Sequence, residues 1–390
     1  MGYMNRETLI SHIRKKCSTL LGVGPMSLNC VDAVIEISNH EKIPLMLIAS
    51  RRQIDSEDFG GGYVNNWSTE EFAKYVMNKD KLGLTYLARD HGGPWQSDIE
   101  RKERFGLRKA MESAKSSYKV DIDNGFQILH LDPSIDIHGP LSVEDSLERL
   151  FELYDFCCNY ARKQGKEIIY EIGTEEQTGS TNSKEELEFT LSKIYEFCEK
   201  NKYPKPTFVV IQTGTKVKEL RNVGSLDSCF RVKNEIPPEI QIPQIIKICN
   251  QYQICMKEHN ADYLSDEILS WHPRLGIHAA NVAPEFGVTE SKAFLKTLEN
   301  NGLKDIANQF LKLSYDSGKW GKWMIKGNKT SEREKAIIAG HYNFSKPEFI
   351  EIRNKAKKIL LTKDINLDFI LKEAIKKSIY RYLKNFRMVS

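Results

Sequence analysis

The chain has 390 residues, 40% hydrophobic, 10% aromatic and 28% charged, which suits one large globular domain or two ordinary ones and excludes a disordered, collagenous or fibrous protein. Mean hydropathy is −0.47, and the longest apolar runs, such as Phe208–Ile211, fall far short of the roughly 20 residues of a membrane span, so no membrane partner is expected. The net charge of +4 is uneven: residues 331–390 hold 14 Lys and Arg against 7 Asp and Glu.

In chain order, the opening Met1-Gly-Tyr-Met-Asn-Arg6 lacks the apolar stretch and cleavage site of a secretory signal, so a cytoplasmic location is expected. Strand-length apolar runs then recur at 20–23, 44–49, 84–88, 127–131, 167–172, 207–211, 253–257 and 275–279. Between or after them lie segments of helical periodicity at 69–77, 97–117, 143–164, 184–200, 241–250 and 289–298. Parallel strands need crossover helices, and eight such units in about 300 residues match a (β/α)8 barrel. Residues 1–300 are therefore read as the barrel and 301–390, including Lys319-Trp-Gly-Lys-Trp323 and 337–386, as a helical extension packed on it. The basic surplus of the tail reads as a solvated helix pair or a subunit contact; no nucleic-acid-binding motif accompanies it. The eight cysteines form no CxxC pair and read as reduced, packed thiols.

Catalytic groups of a parallel barrel project from the C-terminal ends of its strands, so the residues after each run form the candidates. Asp90-His91 stands out: an adjacent carboxylate and imidazole at a strand end point in different directions, so one can hold a metal while the other moves a proton. His259 ends a later strand and supplies a second imidazole of the kind zinc-type ions favour. Glu171 and Glu175 flank a glycine turn, where either could complete a metal site or bind a sugar hydroxyl. Asp132 shares a strand face with His130 because residues two apart face the same way. Gly60-Gly61-Gly62 could bring backbone amides to a phosphate or sugar, or form a flexible loop. Gln212, Asn260 and Asn281 complete the polar strand-end set as candidate substrate contacts.

Taken together, Phe59-Gly-Gly-Gly-Tyr63, Asp90-His-Gly-Gly-Pro94, His130-Leu-Asp132, Ile172-Gly-Thr-Glu175, Gln212-Thr-Gly214, Glu258-His-Asn-Ala-Asp-Tyr263, Asn281-Val-Ala-Pro284 and the tail His341–Phe386 resemble the tagatose-bisphosphate aldolase Z-type subunit family, relatives of the class II, metal-dependent ketose-bisphosphate aldolases. The resemblance implies a metal, zinc by expectation, on His91, His259 and Glu171. It implies Asp90 as the proton-transfer carboxylate, with Glu175 and Asp132 as further catalytic candidates. Two features depart from the active aldolases: Gln212-Thr213 stands where they carry a strand-six histidine, and Asn260-Ala-Asp-Tyr263 replaces a Gly-Gly-Ser phosphate loop. The expected activity is aldol chemistry on a ketose or ketose phosphate. The alternatives are a ketose C4 epimerase and a noncatalytic subunit that stabilises a separate aldolase chain. A sugar or sugar-phosphate substrate, a catalytic aldolase subunit and a second copy of the chain are the expected partners.

Overall fold

Short apolar runs alternating with amphipathic ones become strands and covering helices because each strand must bury both faces, one against the barrel axis and one against a helix. The computed structural model describes residues 6–173, 183–228 and 236–390. Its strands are β1 (Leu20–Val23), β2 (Leu45–Ser50), β3 (Thr85–Asp90), β4 (Ile128–Leu131), β5 (Ile169–Ile172), β6 (Phe208–Ile211), β7 (Cys255–Glu258) and β8 (Ala279–Val282). All pair in parallel, β8 returning to β1, to form a closed (β/α)8 barrel. A separate two-stranded ribbon pairs Val217–Lys218 with Arg221–Asn222.

Several helices start where serine can cap them. Ser27, Ser68, Ser142, Ser183, Ser265 and Ser331 each accept a backbone N–H of the first turn through the side chain, satisfying a donor that the helix itself leaves free. Two expected elements move. The run at 97–117 divides into Asp98–Lys102 and Leu107–Asp123, because Arg104 adopts a left-handed φ of 49° between them. The expected strand at 275–279 begins instead at Ala279: Leu275 is the last residue of the helix Asp266–Leu275, and Gly276 terminates it at φ 87°. Asn281 consequently lies within β8 rather than beyond it.

After β8, the helix Pro284–Asn300 leads into Lys304–Asp316, Glu332–Ala339, Pro347–Leu361 and Leu367–Asn385. Phe294, Leu298, Phe310, Phe349, Leu360 and Leu371 form an apolar cluster among these helices. Ile375, Ile379, Tyr382 and Phe386 of the last helix join the barrel's own core instead. Much of the basic surplus is paired: Lys372 and Lys376 with Glu36, Arg353 and Lys357 with Asp368, and Arg381 with Asp266. Lys319–Trp323 is not a long helix but a loop with one 3₁₀ turn at Gly321–Trp323. Among the described residues no helix is long and apolar enough to cross a membrane, and the seven described cysteines are free, six of them buried.

Candidate metal centre

Side chains that alternate along a strand put Asp90 inside the barrel and Arg89 outside it. Simple alternation would also turn His91 away from Asp90, as expected from the sequence. Instead His91 takes a left-handed φ of 48°, which returns its ring to the same side, and its Nε2 lies 3.9 Å from Asp90 Oδ2. The paired residues therefore share one site.

His91, His130 and His259 converge there, as do Asp90, His130, Glu171 and His259, each set having candidate ligand atoms within 4.8 Å of one another. His91 Nδ1 lies 2.6 Å from Asp132 Oδ2, and His259 Nε2 lies 3.0 Å from Glu171 Oε1. A carboxylate accepts a hydrogen from each of these nitrogens, and the opposite ones, His91 Nε2 and His259 Nδ1, meet 3.3 Å apart, sharing a hydrogen that a bound cation would replace. Two imidazole nitrogens on one tetrahedral zinc, at about 2.0–2.1 Å each, are separated by about 3.3 Å. Carboxylate-backed histidines are also the usual support of such ligands. The donor set thus fits a divalent ion.

His130 is the third imidazole and was not singled out as a ligand from the sequence. Its Nδ1 accepts the His91 backbone N–H at 3.2 Å, so the neutral ring carries its hydrogen on Nε2, which is buried and has no hydrogen-bond partner. The only signal for it was a polar residue at an inward position of an otherwise apolar strand. Lys257, equally overlooked, is buried in the barrel two residues before His259, with Nζ 2.5 Å from Glu171 Oε2.

Electrostatics favour positive charge at this point. Burial opposes a charged His91, but Asp90, the hydrogen bond His91 donates to Asp132, and Glu171 outweigh it and push the imidazole up to about 9. Burial dominates at His130 and His259, holding both down to about 3. Burial would raise Asp132, yet its hydrogen bond and charge interaction with His91 hold it well below the usual carboxylate range.

The other expected site residues take varied positions. Asp132 backs His91 and also accepts from Gln96 Nε2 at 2.8 Å. Asn281 Nδ2 donates to Asp90 Oδ1 at 3.2 Å. Gln212 is buried just beyond β6. Glu175 lies outside the described residues. Asp90, His91, Gly61, Gly62 and Asn260 line a cavity of about 530 Å³ at the barrel mouth, together with residues of the extension. The glycine loop's amides are committed within the protein: Gly60, Gly61 and Gly62 donate to Glu57, Ser56 and Trp67 carbonyls. Gly62 is required by packing, since a Cβ there would sit 1.9 Å from the Gln53 carbonyl oxygen.

No protein-family model and no curated protein sequence matches the chain. Among solved structures, its fold is similar to that of a probable tagatose 6 phosphate kinase from Sinorhizobium meliloti 1021, at 15% identity and TM-score 0.72, covering 94% of this chain and 100% of that one. It is also similar to fructose-bisphosphate aldolase from Campylobacter jejuni, at 11% identity and TM-score 0.59, covering 100% and 96%. The fructuronate-tagaturonate epimerase UxaE from Cohnella laeviribosi aligns at 13% identity and TM-score 0.58, covering 98% and 85%. At such identities the likeness is one of fold.

Proposed function

We propose that the chain is a divalent-metal-dependent enzyme of the class II aldolase type, breaking and making the C3–C4 bond of a ketose or ketose phosphate. The observation that carries this reading is the pair of carboxylate-backed imidazoles, His91 and His259, whose other nitrogens meet 3.3 Å apart beside Asp90. His91 and His259 would hold the ion, with Asp132 and Glu171 backing their far nitrogens; zinc suits imidazole donors. When bound, such an ion supplies Lewis acidity toward the C2 ketone.

The chain's own groups then divide the work. Asp90 faces the cavity and takes the proton of the C4 hydroxyl. C4 becomes a carbonyl as the C3–C4 bond breaks, and that bond's electron pair moves into the enediolate of the other fragment. The proton held by Asp90 is then available to C3. Asn281, donating to Asp90 Oδ1, orients the carboxylate. The same cleavage yields C4 epimerisation if the aldehyde fragment turns before recombination, and the fold likeness to an epimerase makes this the sibling reading. A purely stabilising subunit would have no need of a converged donor set.

Elemental analysis and turnover on a ketose panel test the proposal together. The wild-type chain is expected to retain a stoichiometric divalent ion and His91→Ala to lose it. Asp90→Ala should keep the ion while turnover falls about 10²–10⁴-fold, as for a lost general base. A wild-type chain that takes up no ion, or an Asp90→Ala chain with near-normal turnover, overturns the assignment.

A further inference from the structure

The cavity that begins at Asp90 and His91 does not end within the barrel. The C-terminal extension contributes Lys319, Lys322, Trp323 and Tyr342 to its lining, and the segment after β2 contributes Arg52. At about 530 Å³ it falls within the roughly 300–1,000 Å³ of ordinary small-molecule sites. We propose that this outer end is an anion subsite, in which Arg52 and Lys322, supported by Lys319, bind a phosphate or carboxylate at the end of the substrate remote from the metal centre. This rests on the ketose reading above and specifies which ketoses the site accepts.

Charge balance supports it. Lys322 feels Arg52, Lys319 and Arg101 as like charges against one carboxylate, Asp98, and Asp98 is already engaged by Arg52 at 3.1 Å. Among the described residues neither Lys319 nor Lys322 has an ion-pair partner. The Lys322 ammonium sits instead over the rings of Trp323 at 4.8 Å and Tyr342 at 5.3 Å, which orient a cation without neutralising it. Lys322 is solvent-exposed at the cavity rim, and desolvation by the surrounding wall together with these cations brings it down to about 8, the direction expected where positive charge is in excess and a bound anion would relieve it.

The glycine loop points the same way. Its amides, the natural alternative for cradling an anion, are consumed by internal carbonyls, so recognition of a charged end falls to side chains. The wall that carries them is also fastened to the loop: Tyr63 packs on Tyr342 with ring centroids 4.9 Å apart, and Ser345 Oγ donates to the Tyr63 carbonyl.

Calorimetric titration of the full chain with fructose 6-phosphate, fructuronate and uncharged fructose tests this, with metal content measured in parallel. At least one charged ketose should bind about tenfold or more tighter than fructose, as expected for a charge-assisted contact, and this preference should shrink with added salt. Tighter binding of the phosphate arm assigns a phosphate subsite, and of the carboxylate arm a carboxylate subsite. Lys322→Met with Arg52→Gln should abolish the preference while leaving fructose binding and metal content in place. Equal binding of all three sugars by the wild-type chain overturns the subsite even if metal is present; a charge preference without metal preserves it and instead overturns the catalytic reading.

Discussion

Arg89 and Asp90 are consecutive in β3 and both buried, yet they enter opposite electrostatic worlds. Arg89 faces outward, where all five of its N–H donors are used: two on Asp121 at 2.6 and 2.8 Å, two on the Ala49 and Ile54 carbonyls, and one on Thr69. Nearby Arg51 is similarly paired with Asp55 and Glu100. Asp90 faces inward, toward three imidazoles, the unpartnered His130 Nε2 and the unpartnered Asn281 Oδ1. Buried charge that is fully answered locks helix to strand, whereas converging buried groups of which some stay unanswered are what a ligand would complete.

The sharpest way to break this comparison is to remove one partner from the outer layer. Asp121→Ala leaves the Arg89 guanidinium buried and uncompensated, and should cost about 3–5 kcal/mol of stability, read by chemical denaturation. Metal bound per folded chain should not change. A loss under about 1 kcal/mol, typical of an exposed pair, would show that the outer layer is not structural.

A smaller effect is expected from the support of the inner layer. Asp132→Ala removes the acceptor that orients His91, and should weaken metal affinity by about 10–100-fold in a chelator competition, without the stability loss of Asp121→Ala. Unchanged affinity would mean that Asp132 does not position the ligand.

The smallest effect concerns Asp262, near the barrel mouth. Burial and then Glu285 push its carboxyl up to about 7 from an ordinary 3.8. The folded chain therefore holds this proton more tightly than the unfolded one. Its contribution to stability is complete below about pH 4 and lost as pH rises through about 7. Asp262→Asn stays neutral throughout, and its Oδ1 can still accept the Ala283 and Glu285 amides that the carboxylate accepts at 3.0 and 2.9 Å. Its Tm should fall less between pH 5 and 8 than that of the wild type, by about 2–4 °C. Parallel Tm curves for the two chains would remove Asp262 from the pH response.

How legible the site was varied residue by residue. Asp90, His91 and His259 could be picked out because a polar group at the end of a buried apolar run is anomalous in the chain itself. His130 carries the same anomaly inside its run and Lys257 within the bounds of its own, where a sequence does not distinguish a ligand from a satisfied core residue. The extension's part in the mouth had no local mark at all: Lys322 and Tyr342 follow the last strand by dozens of residues, and nothing in their neighbourhood announces that they return to it.

Strand and helix identity were set by the sequence alone, since apolar run length, alternation and capping serines act over a few residues and survive whatever the rest of the chain does. Seven of the eight strand positions follow from those runs, and the eighth moved only because Gly276 ends its helix late. Barrel closure, the turn of His91 at φ 48°, the choice of which imidazole nitrogen stays free and the reach of the extension over the cavity were decided by tertiary structure. Each depends on groups far apart in sequence meeting within a few ångströms, and such a meeting is fixed by the packing of the whole chain rather than by any segment of it.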